Sequence, residues 1–146
     1  IAVIDDQTLV YRAPSGQRAA APEPVDLPPV ADGASARVIE LDPVLLFRFS
    51  ALTYNAHRIH YDRPYATGVE GYPGLLVHGP LQALLMIELA RAQAGAPIER
   101  FEYRLSSPLF DGQAGRVTAT PGAEGIATAV HGAAGQLTAS GLAVPR

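Results

Sequence analysis

Residues 79–95 read Gly-Pro-Leu-Gln-Ala-Leu-Leu-Met-Ile-Glu-Leu-Ala-Arg-Ala-Gln-Ala-Gly, GPLQALLMIELARAQAG, and their reading decides what the rest of the chain must build. Length and composition are those of a helix. Pro80 suits a first turn, where its missing N–H leaves nothing unpaired, and Gly95 with Pro97 beyond it suits the stop. Apolar side chains lie nearly all round, so the expectation is a helix buried on every side.

Working outward, four short segments follow the helix: Ile98 to Ser107, Gly115 to Pro121, Gly125 to His131 and Gln136 to Val144. Glycine-containing turns separate them, as for antiparallel strands. On the other side, Val38–Leu41 and Val44–Thr53 (VLLFRFSALT) are apolar, parted by Asp42-Pro43, and read as strand or buried segment. A polar, aromatic and His-rich passage, Tyr54 to Gly74, leads from there to the helix. Strand, irregular excursion, buried helix, then four strands is most economically an antiparallel sheet curled around one central helix. That is an α+β chain with the hot-dog architecture, expected to begin near Arg37 and to run through residues 37–146.

Residues 1–36 differ. Gln7–Arg12 suits a short strand, but Ala13–Ala36 holds Pro14, Pro22, Pro24, Pro28 and Pro29 among Ala, Gly and Ser. Without apolar periodicity this stretch reads as an extended Pro/Ala-rich linker. The chain opens on Ile, not Met, which fits processing, truncation or a place inside something longer.

Bulk composition narrows the function. The 146 residues are 48% hydrophobic, enough for one soluble domain with a core. A net charge of -3 offers no basic surface for nucleic acid. All 11 basic residues are Arg, whose planar fork grips phosphate oxygens, so an anionic ligand stays open. With no Cys there is no disulfide, thiolate metal site or Cys nucleophile. No Gly-x-Ser-x-Gly turn supports a Ser nucleophile. No run approaches a membrane span and no secretory signal opens the chain, so a cytoplasmic location is expected.

The chemistry gathers between Asn55 and Gly79. His57, His60 and His78, three of the 4 histidines, fall here with Arg58, Tyr61, Asp62, Arg63, Tyr65, Glu70 and Tyr72. Titratable groups in an irregular segment just ahead of a buried helix make the natural site candidate. The N-terminus of such a helix presents unpaired N–H groups and a positive dipole end. Gly79, lacking a side chain, lets a ligand oxygen approach that N–H, so an enolate formed from a thioester would be stabilised there.

The segments NAHRIHYDRPYA (Asn55–Ala66) and VEGYPGLLVHGPL (Val69–Leu81) resemble the hydratase region of MaoC-like (R)-specific enoyl-CoA hydratases. The resemblance is to the branch holding 3-methylfumaryl-CoA (mesaconyl-type) hydratases and type 2 acyl-thioester dehydratases. It spans roughly Leu46 to Leu85, with a weaker echo in FEYRLSSPLFDG (Phe101–Gly112). It implies a hydro-lyase acting at the 2,3 double bond of an enoyl thioester, carried by coenzyme A or an acyl carrier. No metal or other cofactor is implied, coenzyme A being part of the substrate. The wider superfamily's Asp-x-Asn-Pro-x-His motif falls with its His on His60, its Asp on Asn55 and its Asn on His57. Its His-Gly pair falls on His78 and Gly79. His60 thereby takes the general acid/base role and Gly79 the oxyanion role. Asn55 departs from the pattern, since an amide holds a water but cannot accept its proton. Glu70 is the first substitute carboxylate, Asp62 the second, and His57 can share the proton work. Related dehydratases place an acid five residues after the helix glycine, which here is Leu84. The resemblance also implies two hot dogs side by side with a ligand tunnel between them, as a homodimer or by pairing with another hot-dog domain. IDDQTLVYR (Ile4–Arg12) resembles the tail of an N-terminal hot dog.

Plainer readings stand beside these. His57-x-x-His60-x-Asp62 fixes no metal geometry and lacks a fourth ligand, so no metal site is assigned. His78, expected against the substrate, also suits a structural role at the helix start. Arg58, Tyr65 and Tyr72 are expected to touch substrate, Arg58 with Arg63 and Arg104 suiting its phosphates; ion pairing or packing is the alternative. His131 is assigned nothing. Two rival functions are thioester hydrolysis and a non-catalytic hot-dog half that binds acyl thioesters.

Overall fold

The computed structural model describes residues 3–9, 20, 23–27 and 29–146. Its elements are β1 (Ser35–Glu40), α1 (Pro43–Thr53), a 3-10 turn (Arg58–His60), α2 (Arg63–Gly68) and α3 (Gly79–Ala94). Strands β2 (Ile98–Leu105), β3 (Ala114–Gly122), β4 (Gly125–His131) and β5 (Leu137–Pro145) follow. The strands form one antiparallel sheet in the order β1-β3-β4-β5-β2. α3 lies across its centre, packed on β3, β4 and β5. This is the hot-dog arrangement that the order of segments leads to.

The pleat builds the core. β3 and β4 bury alternate residues, so Val117, Ala119, Ile126 and Val130 all face the helix. Small side chains at Ala119, Ala139 and Ala143 let α3 settle close, and Leu81, Met86, Leu89 and Ala90 fill the gap from above. Polar contacts also join sheet and helix: Thr138 Oγ1 on β5 donates to Gln82 Oε1 on α3 at 2.7 Å, and Ser35 Oγ on β1 donates to Gln93 Oε1 on the same helix. α3 starts with Pro80 in its first turn and stops at Gly95, whose φ of 62° is the left-handed conformation glycine adopts without strain. Burial is one-sided, however. Pro80, Leu84, Glu88 and Arg91 form an exposed stripe, correcting the expectation of a helix covered on every side.

A second correction concerns Val44–Thr53, which is not a strand but most of α1. Asp42 Oδ1 accepts the Leu45 N–H at 2.7 Å and Pro43 opens the first turn, so a capped helix outcompetes the β-branched and aromatic content. Only Leu46 and Ser50 are buried, one helical turn apart, while Phe47 and Leu52 face outward. β1 begins two residues before the expected boundary at Arg37. Of the short strand expected at Gln7–Arg12, Gln7 to Leu9 have no regular structure, and residues 10–12 lie outside the described residues. Among the linker residues that are described, Val25 donates its N–H to Ala133 O at 2.8 Å, fastening this stretch to the β4–β5 turn.

Candidate active site

The site starts where α1 ends. Tyr54 takes φ 53° and caps the helix in the left-handed region, and the Asn55 N–H turns back to Ser50 O at 2.9 Å. Asn55 Oδ1 then accepts the His57 N–H at 2.9 Å, a side-chain-closed turn of the kind Asn favours. With its oxygen so engaged, Asn55 has its amide N–H₂ left to offer. The 3-10 turn that follows sinks Ile59 and His60 into the protein. Beside Asn55 lies a cavity of about 310 Å³ walled by Phe47, Ala51, Tyr54, Ala56 and Tyr61.

His60 is fixed by the strand-like stretch Leu75–Val77. Leu76 O meets His60 Nδ1 at 2.6 Å, and the Leu76 N–H returns to Ile59 O at 3.0 Å. The far side of this stretch is pinned by Val77 N–H on Leu109 O and by Asp111 N–H on Leu75 O. The buried Asp111 carboxylate adds the Leu75 N–H at 2.8 Å and an ion pair with Arg63. Since Leu76 O can only accept, His60 carries its proton on Nδ1 and leaves Nε2 unprotonated when the ring is neutral. Burial lowers the His60 pKa below its ordinary value, with His57 nearby acting in the same direction and the Leu76 bond opposing.

His78 stacks on His60 with ring centroids 3.8 Å apart and planes 17° apart. Its Nε2 lies 2.8 Å from Ser50 Oγ, and Phe49 meets its ring edge-on. Burial first, then His60, lowers the His78 pKa to about 4. Gly79 follows directly and opens α3, whose N-terminus no side chain caps. A Cβ at Gly79 would meet Leu105 Cδ1, the far end of a half-exposed side chain that has room to turn away.

The three rings form a chain of contacts, His57 edge-on to His60 at 5.6 Å and His60 stacked on His78, with Gly79 directly after His78 and Asn55 bonded to the His57 N–H. Arg58, Tyr65 and Glu70 form a separate outer chain: Arg58 pairs with Asp62 and covers the Tyr65 ring, and Tyr65 donates to Glu70 at 2.9 Å. Among the described residues no hydrogen bond joins Glu70 to His60, and Asp62 spends its oxygens on Arg58 and the Tyr65 N–H. Tyr72 packs on Phe110. His78 has no exposed surface; it connects outward through His60 and through Ser50, which also lines the cavity beside Asn55. Sequence reasoning missed Ser50 and Asp111. The small hydroxyl between Phe49 and Ala51, and the acid near the end of the FEYRLSSPLFDG echo, are the available signals.

Residues 1–111 match the family model for hydroxyacyl-thioester dehydratase type 2. A mesaconyl-C(4)-CoA hydratase of Chloroflexus aurantiacus is 55% identical over 126 residues, 86% of this chain and 44% of that protein. The mitochondrial hydroxyacyl-thioester dehydratase type 2 of Schizosaccharomyces pombe is 45% identical over 78 residues, 51% of this chain and 26% of that protein. The chain thus spans less than half the length of these curated relatives. An (R)-hydratase from A. caviae superposes with a TM-score of 0.66 at 19% identity, covering 77% of this chain and 94% of that one, which establishes the hot-dog fold.

Proposed function

Because the chain belongs to the hydroxyacyl-thioester dehydratase type 2 family, we propose that it is a hydro-lyase adding or removing water at the 2,3 double bond of an enoyl thioester. One observation carries the reading: His60 is buried, its Nδ1 tied to Leu76 O, and it stacks on the residue that immediately precedes the uncapped start of α3. In the hydration direction, water oxygen bonds to C3 and the π electrons pass to the thioester as an enolate. His60 Nε2 takes the water proton, and C2 receives a proton as the enolate collapses. The Gly79 N–H faces the enolate oxygen. Asn55 orients the water through its amide N–H₂, and His57 stands edge-on to relay protons.

The apolar cavity beside Asn55 suits the acyl part. At the rim, Arg58 meets phosphates of coenzyme A or an acyl carrier, Tyr65 and Glu70 hold it in place, and Tyr72 borders the entry. The fold works as a homodimer or against another hot-dog domain, with no cofactor beyond the substrate's coenzyme A.

The test is His60→Ala assayed with crotonyl-CoA and mesaconyl-CoA. Loss of about 100-fold or more in turnover is expected, the scale of a lost general acid/base. Wild-type rates in that variant overturn the assignment. Free thiol released at the same rate as substrate is consumed would instead indicate hydrolysis.

A further inference from the structure

We infer that Ser50 and His78 are a positioning pair for His60, holding its imidazole in one plane and its Nε2 in one direction. The inference rests on the reading of His60 as the proton-transferring group. It explains what that reading leaves unused: a histidine with no exposed surface, at a helix start it does not cap. Burying an imidazole is costly unless its polar atoms are engaged. Here Nε2 is engaged by Ser50 Oγ, 28 residues earlier on α1, at 2.8 Å, while Nδ1 is buried with no hydrogen-bond partner among the described residues, so the Ser50 bond is the one polar anchor of this ring.

The geometry shows what the pair does. The bond from His60 Nδ1 to Leu76 O, with the Cβ–Cγ bond, holds one edge of the ring and leaves the Nε2 edge to rock out of plane. A parallel ring 3.8 Å away removes that rocking. That second ring must itself be immobile, and Ser50 and the edge of Phe49 make it so. An aliphatic side chain would fill the space without a flat wall, and an unanchored ring would move with its neighbour. The groups facing His60 are His57 and His78, and those facing His78 are His60, Ser50 and Phe49. Desolvation and the neighbouring His60 keep His78 neutral down to about pH 4, so a proton on His60 meets no second charge across the stack.

Ser50→Ala removes the anchor, Ser50→Thr keeps a hydroxyl, and His78→Phe keeps a flat ring without the bond. In the full chain, Ser50→Ala and His78→Phe are expected to lower kcat about tenfold with KM within about twofold, the signature of a misaimed group rather than lost binding. Ser50→Thr should recover most of the loss. Nitrogen-15 spectra of histidine-labelled protein should show His60 protonated at Nδ1 in the parent, and exchange between tautomers in Ser50→Ala. Unchanged kcat and an unchanged His60 tautomer in Ser50→Ala overturn the proposal, and so does a loss confined to KM. Should His78→Phe fail to fold, the Ser50 variants and the spectra decide alone. If His60→Ala turns over normally, the functional reading falls, while the His60 spectra still judge the positioning.

Discussion

Asn55 stands where the resembling motif has its carboxylate, and the structure gives the amide a job that an acid could share. Its Oδ1 closes the turn onto the His57 N–H, which one oxygen of an aspartate would do equally well. Asn55→Asp should therefore fold normally, with a melting temperature within a few degrees of the parent. Its second oxygen would bring a negative charge to the site, raising the His60 pKa and moving the acid limb of the kcat profile to higher pH. A profile that does not move would place position 55 outside the reacting group. The stacked histidines carry a second consequence. His78 falls from an ordinary pKa of 6.5 to about 4 on folding, and His60 is lowered too. The unfolded chain thus binds protons that the native chain refuses. Stability is full above about pH 6.5 and is lost as pH falls toward 4, by on the order of 3 kcal/mol for His78. Urea titrations at pH 7 and pH 5 measure this, and His78→Phe should flatten the difference.

At the scale of elements, α1 and α3 deliver the site from opposite sides, and each carries a prediction. Asp42→Ala strips the N-cap of α1 and should cost about 1 kcal/mol in urea unfolding. A side chain at Gly79 would meet two things: an approaching ligand and the movable tip of Leu105. Gly79→Ala alone confounds them. Combining it with Leu105→Ala should restore the melting temperature but not turnover, if the N–H serves the enolate. Recovery of both would make Gly79 a packing residue. These two helices also show why one was legible and the other was not. α3 announces itself by proline in its first turn, glycine at its stop and an unbroken length of sixteen residues. α1 has the content of a strand, and only the Asp42-Pro43 junction points to a helix, through a cap bond of three-residue reach. Likewise His60 and Gly79 stand out by chemistry and local context. Ser50 and Asp111 gain their roles from partners 28 and 36 residues away, which no local pattern encodes.

At the scale of the whole molecule, the sheet order leaves β2 at one edge with nearly every residue exposed. Tyr103 and Leu105 on it are 41% and 47% exposed, and Leu84 on the open stripe of α3 is 48% exposed. An edge strand with free backbone groups is a template for pairing unless something covers it. Leu105 links that edge to the site, because it packs on Gly79 at the start of α3. Pairing along β2 would therefore bury the apolar residues at the rim and close the mouth of the candidate site together. The 15.3 kDa chain should accordingly sediment above its monomer mass at micromolar concentration. The double substitution Leu84→Glu and Tyr103→Glu, touching no group assigned to proton transfer, should return it to monomer. If pairing completes the site, turnover of this variant should fall as association is lost and rise again as protein concentration is increased. A parent chain that sediments as a monomer while turning over at full rate would mean that one hot dog suffices. The exposed edge would then need some other occupant.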